Sequence, residues 1–296
     1  MAGFETFKAD FKGTIVTPSD PGYEDAIFRR SRNSIKRAQL VTFPKDETGV
    51  AQAIAYSRQA KLPLAICGGE HSASGASSTD GLVVDLSRYF DRVRIDAEKK
   101  LAYIGGGTLW NAVEKAAIQH GLATVGGAVN HTGCGGLIVG GGFGWLSGKH
   151  GLTVDHLFQA TVVTPNGSTL TASTTENEDL FWGIRGGGCN FGVVTEFVLK
   201  LHPQCRTVYS GSLVFSPDKL DTVATTVQSW WLNGPTQDEA VMFVQSASHF
   251  GQPPALILGL FYNGSEEEGR QNFKALLDLG PVADLSKEMP FEKIDE

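Results

Sequence analysis

No window of this chain approaches the ~18 consecutive apolar residues that a membrane-crossing helix needs. Its first residues, MAGFETFKADFKG, lack the apolar core of a signal peptide. These two absences set the expectation of a soluble, cytoplasmic protein with no membrane partner. Charge is scarce as well. Charged side chains make up 19% of the 296 residues, too few for a disordered or coiled-coil chain. The 32 acidic against 25 basic residues give a formal charge of −7, which argues against a nucleic-acid partner. The four cysteines, Cys67, Cys134, Cys189 and Cys205, form no Cys-x-x-Cys clip, and no His-Glu-x-x-His occurs. Neither a disulfide framework nor a zinc site is expected. The nearest approach to a ligand pair, His131 with Cys134, lacks a third and fourth ligand.

Also missing are the dinucleotide fingerprint G-x-G-x-x-G, the phosphate-binding G-x-x-x-x-G-K-[ST] and the hydrolase elbow G-x-S-x-G. What the chain has in excess is glycine: 36 residues, roughly one in eight against an average near 7%. They follow no Gly-X-Y period. They concentrate at Gly68-Gly69, from Gly133 to Gly148, and at Gly186 to Gly188. The middle block also carries Leu137, Ile138, Val139, Phe143, Trp145 and Leu146, which a flexible linker would lack. Glycine suits places where backbone approaches a ligand or takes positive φ. The reading is therefore a long ligand with a pyrophosphate, cradled by backbone N–H groups from several loops.

The pattern of apolar residues and turn signals places the elements. Residues 1–33 read as irregular and regular structure starts with a strand at 38–43. Asp46 caps a helix over 47–60; strands follow at 62–66 and 82–86, then a hairpin of 92–96 with 100–104. A helix over 108–119 stops at Gly121. Asn166-Gly167 turns a hairpin between 158–164 and 168–172; a helix over 176–184 and a strand over 191–201 complete the region. Beyond Pro203 come a strand (207–215), a helix (220–232), two strands (240–245 and 255–262) and a helix (266–279). This predicts an N-terminal extension (1–35), a two-lobed α+β region (36–203) and a smaller α+β domain (204–296).

Three segments carry a resemblance: CGGEHSASGASS at 67–78, GLATVGGAVNHTGCGGLIVGGGFGWLSGKHGLTVD at 121–155 and DLFWGIRGGGCNFGVVTEF at 179–197. In order and spacing the chain resembles the p-cresol methylhydroxylase/vanillyl-alcohol oxidase flavoproteins. Within them it is similar to the berberine-bridge-enzyme-like branch, especially its fungal and 6-hydroxynicotine-oxidase-like members. The resemblance implies a two-lobed FAD-binding domain, followed by a shortened substrate domain with an antiparallel sheet and without the C-terminal part of the family fold. It implies a covalent bond from His71 to the methyl carbon on the flavin's benzenoid ring. Gly68, Gly69, Glu70 and Ser72 would hold the pyrophosphate, with Gly75 among the cofactor-binding residues and Ser77 on the ribityl side. Gly126, Gly127, Gly141 and Gly142 would approach the flavin or its phosphates; Gly192 and Val194 would pack against it.

Some branch members add a second link from a cysteine; that position is Val129 here, so a single link is expected. Two residues depart from the family pattern: Glu70 where Gly is usual, and Cys67 where Arg or Lys is usual. No catalytic residue can be assigned, because the family's catalytic tyrosine lies beyond the matching region; Tyr262 reads as a packed strand residue. The implied activity is FAD-dependent oxidation of a small organic substrate in secondary metabolism, with oxygen as reoxidant and a homodimer as one possible assembly. The alternatives are a flavin-holding chain with weak or no catalysis, and a reductase.

Overall fold

The computed structural model describes residues 3–246 and 254–294. They divide into two compact units: Met1–Phe143 with Leu152–His202, and Gly144–Gly151 with Pro203–Glu296.

The first unit holds a four-stranded and a five-stranded sheet. One has the order Gly13–Val16, Leu40–Pro44, Leu82–Asp85, Leu64–Cys67, with the first pair antiparallel and the other two pairings parallel. Its two central strands, Leu40–Pro44 and Leu82–Asp85, are wholly buried, as strands covered on both faces require. Helix Glu47–Ala60 packs on it, begun by the Asp46 carboxylate accepting from the Gly49 N–H at 2.9 Å. The other sheet is antiparallel throughout, ordered Val93–Asp96, Leu101–Gly105, Val193–Lys200, Leu157–Val163, Thr169–Ser173. Its core gathers Ile104, Val162, Phe197 and Leu199 with Trp110 and Val113 of helix Trp110–Ile118.

The N-terminal stretch expected to be irregular is not. Helix Phe4–Asp10 and strand Gly13–Val16 belong to the first sheet's lobe, and the Phe7 ring stacks on Tyr56, 4.2 Å between centroids. The stretch is ordered by these distant partners rather than by local propensity. The helix foreseen over 266–279 is also revised. It breaks at Phe273 into Glu266–Asn272 and Lys274–Leu277, because Phe273 leaves helical geometry (φ −91°, ψ 13°) to bury its ring completely.

The second unit is an antiparallel sheet, Glu239–Ser246, Ala255–Tyr262, Thr207–Phe215, Ala283–Asp284, with Lys287–Pro290 also paired to Thr207–Phe215. Helix Leu220–Leu232 buries Val223 in its core. The segment Gly144–Gly151 belongs to this unit: Trp145 stacks on Phe261, and Lys149 pairs with Asp238 at 2.7 Å. Among the described residues no helix is long and apolar enough to cross a membrane.

Candidate functional site

The first unit contains a cleft of about 460 Å³ walled by its four-stranded and five-stranded sheets. From the mixed sheet come Ile66, the loop after strand Leu64–Cys67 and Leu86, just after strand Leu82–Asp85. Both contributions therefore sit at the carboxyl ends of parallel strands, where open sheets receive ligands. From the antiparallel sheet come Gly106, Gly192, Val194 and Phe197. A short helix, Cys134–Val139, closes the wall with Gly135, Gly136, Leu137 and Val139.

The loops approach so closely that side chains would not fit. A Cβ on Gly69 would lie 2.4 Å from the Gly133 Cα, and one on Gly133 would lie 2.6 Å from the Gly69 nitrogen. Two backbones touch here, which only glycine permits. The 130–134 segment is pinned from its other side: the N–H groups of Asn111 and Trp110 donate to the carbonyls of Asn130 and Thr132 at 2.9 and 3.0 Å, and the Cys134 N–H donates to Thr108 at 2.8 Å. His131, held between these anchors, brings its Nδ1 to 3.0 Å from the Nε2 of His71. Partial burial lowers the His71 pKa below its ordinary value, helped by His131 and by the charge of Arg30, so the imidazole is neutral at pH 7.

Behind the loop lies a buried polar group. Arg29, 1% exposed, donates from Nε and Nη2 to the Ser77 carbonyl at 3.0 and 2.7 Å and also to the Phe28 carbonyl. Burial raises the Asp85 pKa, against the Ser87 N–H bonded to it at 2.9 Å and the charge of Arg29. Burial, reinforced by Asp85, pushes the Cys67 thiol well above its usual range, so it is inert. Glu70 sits in the left-handed region (φ +59°), a conformation costing a non-glycine residue roughly 1 kcal/mol or more. Its pKa is raised by burial and by Asp85, while Arg29 and Arg30 oppose the shift.

Of the residues singled out from sequence, Gly68, Gly69, Glu70, His71, Ser72, Ser77, Gly192 and Val194 line the cleft. Gly75, Gly126, Gly127, Gly141 and Gly142 do not. Gly141 and Gly142 instead turn the chain with positive φ, their carbonyls accepting from Val154 and Thr153 at 2.8 and 3.1 Å. Gly126 and Gly127 face the Trp110 ring. Val129 carries no group able to bond covalently. Cys134 is completely buried, and among the described residues no group of three or more His, Cys, Asp or Glu could hold a metal. Sequence reading missed Gly106, Gly133, Gly135, Leu137, Cys189 and Phe197. The glycine excess pointed to the block holding Gly133 and Gly135; nothing in the spacing marked Phe197.

The cleft suits a long cofactor with an apolar ring. Ser77 lines the cleft, and among the described residues its buried Oγ has no hydrogen-bond partner. The glycine walls leave backbone accessible at one end, while Leu86, Val194 and Phe197 supply an apolar surface.

Known proteins agree with this reading. The FAD binding domain family matches residues 38–173. The FAD-linked oxidoreductase pgmH of Aspergillus terreus is 38% identical over 288 residues, covering 94% of this chain and 58% of its own length. Among solved structures, 6-hydroxy-D-nicotine oxidase from Arthrobacter nicotinovorans superposes with a TM-score of 0.88 at 27% identity, over 97% of this chain and 63% of that one. The BBE-like 1 protein of Physcomitrella patens gives 0.86 at 24% identity, over 96% of this chain and 62% of that one, and shows the shared fold. The chain thus spans about six-tenths of the length of these relatives.

Proposed function

We propose that the chain is an FAD-linked oxidoreductase of the p-cresol methylhydroxylase/vanillyl-alcohol oxidase superfamily, in the berberine-bridge-enzyme-like branch, a reading its similarity to these flavoproteins supports, and that it holds FAD in this cleft through His71 and oxidises a small organic molecule of secondary metabolism at the expense of oxygen. The observation that carries the reading is the cleft: a glycine cradle at the carboxyl ends of parallel strands, an apolar wall, an unpartnered Ser77 hydroxyl and a neutral histidine at its rim.

Bound FAD would accept a hydride from a substrate carbon and pass the electrons to oxygen. The chain's own residues hold and orient. Backbone N–H groups of the Gly68–Ser72 loop suit phosphate oxygens. Arg29 and Arg30 offset the Glu70 carboxylate, the one charge in that loop that opposes a phosphate. Leu86, Val194 and Phe197 keep water from the ring system, and Ser77 offers a hydroxyl to the polar chain. His71, kept neutral, presents a nucleophilic nitrogen for the tether.

The chain incubated with FAD should become yellow at one flavin per polypeptide. It should consume oxygen and release hydrogen peroxide with a member of an alcohol and amine panel. A colourless protein after incubation with excess FAD overturns the reading; a yellow protein inert to every substrate favours a flavin-holding chain instead. Cys189 gives an independent check because it is exposed on the cleft wall, whereas Cys205 lies outside it. FAD should slow alkylation of Cys189, measured by peptide mass, and leave Cys205 unchanged.

A further inference from the structure

The His71–His131 contact assigns work to a residue that the sequence had marked only by its nearness to Cys134. Neutral imidazole carries one N–H and one lone pair. If His131 donated to Nε2 of His71, the proton of His71 would sit on Nδ1 and no lone pair would face outward. With the hydrogen bond running the other way, His71 donates from Nε2 and its Nδ1 lone pair is free. Resting on the tether proposed above, we infer that His131 is the positioning residue for flavin attachment: its Nδ1 accepts the Nε2 proton of His71, leaving Nδ1 of His71 as the bonding atom.

The chemistry balances through this pair. Attachment replaces one C–H bond of the benzenoid methyl group with a C–Nδ1 bond. The methyl proton is lost to solvent. The electron pair of that C–H bond stays on the ring system as a two-electron reduction, which oxygen removes, giving hydrogen peroxide. Alkylation at Nδ1 would leave His71 a cation unless its Nε2 proton departs, and His131 Nδ1 stands 3.0 Å away to take it. The charge of Arg30 nearby adds to the need, since it disfavours a positive His71. The fold keeps the acceptor in place: the carbonyls on either side of His131 are hydrogen-bonded to the start of helix Trp110–Ile118, and the Gly69–Gly133 contact holds the two loops together.

The test follows tether formation after FAD is added to the full chain expressed under riboflavin limitation. The readouts are mass gain and flavin fluorescence on the denatured polypeptide. His131→Ala should still bind FAD but attach it about 100-fold more slowly, at the low end of the ~10²–10⁴-fold typical of positioned proton transfer. His131→Asn, whose amide oxygen is an acceptor, should recover most of the rate. A role in mere loop shape would not be rescued in this way. The nitrogen bonded to flavin in the proteolytic peptide should be Nδ1 of His71. Attachment by His131→Ala at the wild-type rate, no rescue by asparagine, or a bond at Nε2 overturns the inference while leaving the tether standing. A wild-type chain that binds FAD but never attaches it overturns both.

Discussion

Gly69→Ala should cost the chain about 1–3 kcal/mol of stability, the range for overpacking a close contact, and most of its capacity to attach flavin. The methyl group would lie 2.3 Å from the Gly133 nitrogen and 2.4 Å from its Cα, so a backbone rather than a yielding side chain must move. The segment that must move carries His131, and the His71–His131 hydrogen bond at 3.0 Å would open with it. Gly136→Ala is the contrast. Gly136 lies in helix Cys134–Val139 with nothing within 4 Å of an added Cβ, so alanine there should be neutral or stabilise by ~0.5–1 kcal/mol through helix propensity. Denaturant midpoints of the two cofactor-free variants give the comparison directly. Equal midpoints would show that the two loops do not touch.

His71→Ala has the largest expected effect, because its readout is all or none. The wild-type polypeptide, denatured in acid and separated from small molecules, should keep its yellow fluorescence; the variant should lose all of it. The expectation is sharp because the second attachment position known in the branch is Val129 here, which offers no sulfur. The variant should still bind FAD before denaturation, since the glycine loop, Ser77 and the apolar wall remain. Colour that stays with the denatured His71→Ala chain would place the bond on another residue.

The sequence displayed its fold wherever local chemistry decides structure. Asp46 followed by a periodic apolar run specified helix Glu47–Ala60, and Asn166-Gly167 specified the hairpin of Leu157–Val163 with Thr169–Ser173. It was silent where distant contacts decide. Nothing within residues 4–16 announces a helix and a strand, because the order comes from Tyr56 and from the register Thr14 to Phe43. Phe273 looked like one more apolar helix position, and only the core that receives its ring explains the break. The site divides in the same way. The loop from Gly68 to Ser72 was visible as a glycine pair before a histidine. The partnership of His71 with a histidine sixty positions later was not, because it depends on two glycine backbones meeting. The turn at Gly141 and Gly142, which the family resemblance had suggested only as cofactor contacts, was likewise hidden, because it depends on their positive φ and on hydrogen bonds from Val154 and Thr153.

The eight residues Gly144–Gly151 have a practical consequence for anyone dissecting this chain. They are synthesised more than fifty positions ahead of Pro203 yet belong with the residues on its C-terminal side. Protease nicking or gene truncation at His202–Pro203 would therefore yield neither half intact. The downstream fragment would forfeit the Trp145 ring stacked on Phe261 and the Lys149 ammonium on Asp238, exposing hydrophobic surface and favouring precipitation. Boundaries for expressing the halves separately need a graft or a circular permutation that restores this insert.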